Sequence, residues 1–136
     1  MVGLLVVTHR DLAQELIATA ELIVGEIDNC VGLSVQPDVP VDDLRRQMHQ
    51  AIDQVNSGDG VIVLTDMFGG TPSNLSLSFL NQQGIEVVTG VNLPMLIKLA
   101  TARQDSEVGE LAKLIKDYGR RSISLASEIL EGGPES

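Results

Sequence analysis

The chain has 136 residues, a formal charge of −10 and a single cysteine, Cys30. That length fits one domain with a proper core, and one cysteine excludes an internal disulfide. The acidic balance excludes the basic footprint of a nucleic-acid or anionic-membrane binder, and only Phe68, Phe79 and Tyr118 are aromatic, so the core must be aliphatic.

Val2–Val7 is a continuous apolar run, the pattern of a strand buried on both faces. Thr8 and His9 follow it. A helical period then runs from Asp11 to Val24, with Leu12, Leu16, Ala20 and Ile23 on one stripe and Gly25 at the stop. Cys30–Val35 predicts a second strand, and Gln36–Pro40 a loop. Val41, Leu44, Met48, Ile52 and Val55 mark a second amphipathic helix, closed by the turn cluster 56–60. Gly60–Thr65 predicts a third buried strand, Pro72–Gln83 a third helix, and Ile85–Thr89 a fourth strand. Helical segments follow over Pro94–Thr101 and Ser106–Tyr118. Ile123 and Leu125 alternate with serines, the period of a half-buried edge strand, and the segment is also long enough for a short helix. Residues 131–136 predict a disordered tail. No stretch is apolar enough to span a bilayer, and Met1 leads straight into the first strand without the layout of a signal peptide. With one free cysteine, these features predict a cytoplasmic protein.

Strand–helix alternation with continuous apolar strands predicts an α/β domain over 1–130: three layers around a mainly parallel sheet, strand order 2-1-3-4. In that order the first and third strands meet at the switch point, where open α/β sheets bind ligands. His9 ends the first strand and Asp66 follows the third. A neutral imidazole is a nucleophile near pH 7, and a carboxylate accepting its Nδ1–H leaves Nε2 free to attack. Met67-Phe68-Gly69-Gly70-Thr71 supplies the third part. Its glycines allow consecutive backbone N–H groups to face an anion, and the Thr71 hydroxyl adds a donor. Together these parts suit a phosphorylated histidine. Asn92, Leu93 and Pro94 close the fourth strand on the same edge, where the amide can hold a loop and the apolar pair can form a docking rim. His49 lies off the apolar stripe of its helix, as a solvated residue does. Cys30 starts an inner strand with no metal partner at ligand spacing. No P-loop or Cys/His cluster is present, so no metal or cofactor is expected.

These residues carry a family likeness. The chain resembles the IIA domain of the mannose-type sugar phosphotransferase system (PTS), and the related phosphocarrier domain serving dihydroxyacetone kinase. The likeness rests on Val6-Val7-Thr8-His9, on Leu64-Thr65-Asp66-Met67-Phe68-Gly69-Gly70-Thr71-Pro72-Ser73-Asn74, and on Gly90-Val91-Asn92-Leu93-Pro94-Met95-Leu96. It implies a cytoplasmic phosphotransferase component. The small protein HPr donates a phosphoryl group to His9, and a IIB protein takes it for sugar uptake. It implies Asp66 as the orienting partner of His9, and Thr71 with the backbone of Met67–Gly70 as the phosphoryl-binding loop. It also implies a homodimer in which a C-terminal strand, matched here by Arg121–Ser127, crosses to the other subunit. One position departs from the pattern: the family commonly has glycine after the histidine, and this chain has Arg10. A guanidinium there meets either the phosphoryl group or the docking partner. Read without the likeness, the residues also fit a regulatory module switched by His9 phosphorylation, or a plain small-molecule-binding domain. Sugar identity is not legible in them.

Overall fold

A computed structural model describes residues 1–132. The elements in chain order are β1 (Gly3–His9), α1 (Leu12–Val24), β2 (Cys30–Val35), α2 (Val41–Val55), β3 (Val61–Thr65), α3 (Thr71–Leu77), β4 (Ile85–Thr89), α4 (Leu93–Ala102), α5 (Val108–Arg121) and α6 (Ala126–Leu130). The four strands form one parallel sheet of order β2-β1-β3-β4, as the alternation predicts.

Side chains alternate across the sheet and split the core in two. Leu4 and Val6 of β1, with Ile62 and Leu64 of β3, face α1, α4 and α5, where Ala13, Leu99 and Ile115 meet them. Leu5, Val7, Val61 and Val63 face the other way, toward Leu44, Met48 and Ile52 of α2 and Leu75 of α3. Each such side chain, fully buried, contributes about 1.5–3 kcal/mol through removal from water. A strand buried on both faces has no polar side to show, hence the unbroken apolar runs.

Local chemistry sets several boundaries. β1 runs on to His9, which lies opposite Val35 in the parallel register. Thr8 is fully buried, and its Oγ1 accepts the Ala13 N–H at 2.7 Å. It thus serves the start of α1, where Asp11 makes no side-chain cap bond.

One expectation is corrected, and another concerns a second subunit. The third helix was expected to reach Gln83 but ends at Leu77. The Ser76 and Ser78 hydroxyls donate to the carbonyls of Pro72 and Leu75 at 2.6 and 2.5 Å, competing with the helical ladder. The chain then tightens into three-residue turns, with Phe79 N–H bonded to the Ser76 carbonyl and the Phe79 ring buried. The edge strand expected over Arg121–Ser127 does not form within the chain. Arg121 closes α5, and residues 123–125 belong to no ladder. α6 takes the residues that follow, with Glu128 N–H and Ile129 N–H on the Leu125 carbonyl. Helical bonds close over a few adjacent residues, whereas a strand needs a neighbouring edge brought to it. Of the expected tail, 131 and 132 form a turn after α6, and 133–136 lie outside the described residues.

Candidate active site

β1 and β3 are neighbours, and the sheet order reverses at this pair. Their C-terminal ends bring His9 and Asp66 together across 57 residues of sequence. Asp66 Oδ2 lies 2.9 Å from His9 Nδ1 and also accepts the His9 backbone N–H at 3.0 Å. One carboxylate oxygen therefore fixes both the ring and its backbone. Burial pushes the Asp66 carboxyl up, but the two bonds from His9 and the charge of the ring outweigh it, so the group lies below its ordinary value. A group depressed on folding stabilises the fold above its unfolded value, and that contribution is lost as pH falls through the lowered one.

The chemistry of His9 follows. An ionised carboxylate only accepts, so Nδ1 carries the hydrogen and the neutral ring keeps its lone pair on Nε2. The His9 side chain is 48% exposed and Asp66 only 14%. The ring is therefore about half open to solvent while the orienting group stays sheltered. The second Asp66 oxygen, Oδ1, is buried without a partner among the described residues.

Gly70 closes over the ring. Its φ is 89°, a region few other residues adopt, and a β-carbon there would lie 3.2 Å from both Cε1 and Nε2 of His9. Among the described residues, the N–H groups of Met67–Gly70 bond to no backbone carbonyl. They remain donors in the loop that ends at Gly70, beside the ring. Thr71 is exposed and lines the same cleft.

That cleft has a volume of about 370 Å³. Its polar end holds His9, Arg10 and Thr71; its apolar wall comes from Pro37 and Val39 before α2 and Val41 at its start. Sequence reading treated Gln36–Pro40 as a plain loop and missed this wall. The signal was present as Val39 and Val41 flanking Pro40, apolar residues where a turn is usually polar. Met67 and Phe68 are 53% and 72% exposed, so the third-strand loop carries apolar surface as well.

The other expected site residues fall elsewhere. Asn92 Oδ1 accepts the Met95 N–H at 3.1 Å, and its Nδ2 donates to the Gly119 carbonyl at 3.1 Å. It caps α4 and ties it to α5. Leu93 and Pro94 are half-buried in the first turn of α4, and neither lines the His9 cleft. His49 is exposed, 3.2 Å from Asp53 of its own helix. Cys30 is half-buried; burial, with Glu21, pushes its thiol up to about 11 against the opposing pull of Arg103. It is a poor nucleophile.

Comparison with known proteins gives the family of the chain. Residues 3–116 match the family model EIIA-man, described as PTS system fructose IIA component. The PTS system fructose-specific EIIA component of Bacillus subtilis is 29% identical over 132 residues, covering 96% of this chain and 90% of that protein. The PTS system mannose-specific EIIAB component of Escherichia coli is 30% identical over 124 residues, 90% of this chain but only 38% of that protein's length. The crystal structure of a PTS IIA protein associated with the fucose utilization operon of Streptococcus pneumoniae superimposes with a TM-score of 0.83 at 32% identity. It covers 94% of this chain and 95% of that one.

Proposed function

Because this chain belongs to the family of PTS system fructose IIA components, we propose that it is a cytoplasmic phosphocarrier whose relay residue is His9. Phospho-HPr is the donor and a IIB protein the acceptor. The observation that carries this reading is the 2.9 Å contact of Nδ1 with Asp66, which leaves Nε2 as the nitrogen free to take the group. Asp66 orients the ring and balances the positive charge it takes on when phosphorylated. The free amides of the Met67–Gly70 loop and the Thr71 hydroxyl receive the phosphoryl oxygens. The apolar wall of the cleft, with Met67 and Phe68, offers a surface for a protein donor to exclude water during transfer.

The Escherichia coli relative carries A and B parts in one protein, which supports IIB as the next station. Fructose and mannose both occur among the relatives' names, so sugar choice is assigned to other components of the system. A homodimer is part of the same reading. Among the described residues β4 pairs only with β3, and Ile123, Leu125, Ile129 and Leu130 are 77%, 60%, 45% and 86% exposed beyond α5. An extended 121–127 segment of one subunit laid on the β4 edge of the other would cover both.

The test is intact mass after incubation with phosphoenolpyruvate, enzyme I and HPr. The wild type is expected to gain one acid-labile phosphate and His9→Ala none. Acceptance by His9→Ala, or none by the wild type while HPr itself is phosphorylated, rejects the relay.

A further inference from the structure

Arg10 stands one residue beyond His9 with φ 52°, in the left-handed region that residues with a β-carbon rarely occupy. Its N–H donates to the Val35 carbonyl at 3.1 Å, and its own carbonyl accepts the Thr8 hydroxyl at 3.4 Å. The fold thus holds a long cation where glycine would be easier, and such outliers cluster at functional sites. Arg10 lines the cleft with His9 and Thr71. Among the described residues it takes part in no ion pair.

The charges around it give that placement a use. Asp66 lies against the His9 ring, and Asp11 follows Arg10, with one oxygen accepting the Ser34 hydroxyl at 2.9 Å. A phosphoryl group on Nε2 would add negative charge close to the Asp66 carboxylate. The remaining Lys and Arg side chains do not line this cleft. Arg45 and Arg46 pair with Asp42 and Asp43 on α2. Arg103 is buried against the carbonyls of Val2, Asp28 and Asn29, at the other end of the sheet. Lys98, Lys113, Lys116, Arg120 and Arg121 belong to α4 and α5.

We propose that Arg10 is a binding residue for the phosphoryl group on His9, its guanidinium pairing with the phosphoryl oxygens at the mouth of the cleft. This rests on the phosphocarrier reading. In the transfer, the donor's N–P bond breaks and its electron pair returns to the donor imidazole. His9 Nε2 forms the new N–P bond, and the Nδ1 proton stays on His9 against Asp66. Arg10 exchanges no proton. It offsets the charge of the arriving group with a planar pair of donors that matches two phosphoryl oxygens. Glycine at this position would leave that charge to the loop amides alone.

Phosphoramidate phosphorylates accessible histidines without a protein partner. His49→Gln leaves His9 as the only histidine, and a pH titration of phospho-His9 by 31P NMR reads the field at the phosphorus. A nearby guanidinium favours the dianion and lowers the midpoint. In the His49→Gln background, Arg10→Gly is expected to raise it by about half a pH unit and Arg10→Lys by less, the size of an exposed charge pair. Glycine suits φ 52°, and a thermal melt checks that the fold is kept. Superimposable titrations with and without Arg10 overturn the role of Arg10 and leave the carrier reading standing. Failure of His9 to take phosphate in the His49→Gln protein overturns both.

Discussion

Gly70 shows how far a single backbone angle controls the site. With φ 89° and the His9 ring at 3.2 Å from a would-be β-carbon, alanine is opposed twice, by strain and by contact. Gly69 has nearly the same angle, φ 85°, but nothing within 4 Å. The pair separates the two effects. Each alanine variant should cost about 1 kcal/mol or more in stability. Only Gly70→Ala should also displace the ring from Asp66 and slow phosphate acceptance by about tenfold or more, since small misplacements of reacting groups are costly. Time-resolved intact mass beside thermal melts distinguishes them, and equal acceptance rates in the two variants would remove Gly70 from the positioning of His9. His9, Asp66 and the two glycines are all legible in the sequence, because chain order and glycine spacing place them at one sheet edge. Thr8 was not. Its hydroxyl serves α1 from inside the strand, five residues before the amide it bonds, and no local pattern reports that.

At the scale of the elements, the strands were the easiest to read. Each is buried on two faces and so has one possible composition. The helix ends were harder. The Asn92 amide was expected to hold a neighbouring loop, and both of its ends are engaged inside the protein, on Met95 and Gly119. Close packing explains why α5 comes so near: a β-carbon at Gly119 would stand 2.5 Å from the Met95 sulfur. Asn92→Ala should lower stability by about 1–2 kcal/mol in urea unfolding, combining a lost cap with a lost interhelical bond. Asn92→Asp keeps the acceptor for Met95 and loses only the donor to Gly119, so it should cost less. If alanine costs no more than aspartate, the cap contributes nothing. Arg103 extends the same lesson. It is only 2% exposed and bonds three carbonyls where β1 and β2 begin, though nothing in its own segment marks it apart from a surface arginine.

At the scale of the molecule, the exposed apolar residues beyond α5 decide the assembly prediction. Light scattering should give twice the 14.5 kDa chain mass, and a chain ending at Arg121 should give a monomer that still accepts phosphate on His9. A full-length monomer at tens of micromolar would rule the crossed-strand dimer out. The parallel sheet, its order and the residues at its switch point are readable from the chain alone, because they follow from apolar periodicity and the handedness of crossovers, which are local or nearly so. Where α3 stops, what Asn92 and Arg103 bond, how Arg10 is held at φ 52°, and that residues 123–125 join no ladder among the described residues emerge only once the chain is folded. Each of those depends on a partner distant in sequence, or on the lack of one within the chain, and a pairing of that kind leaves no period in the residues that make it.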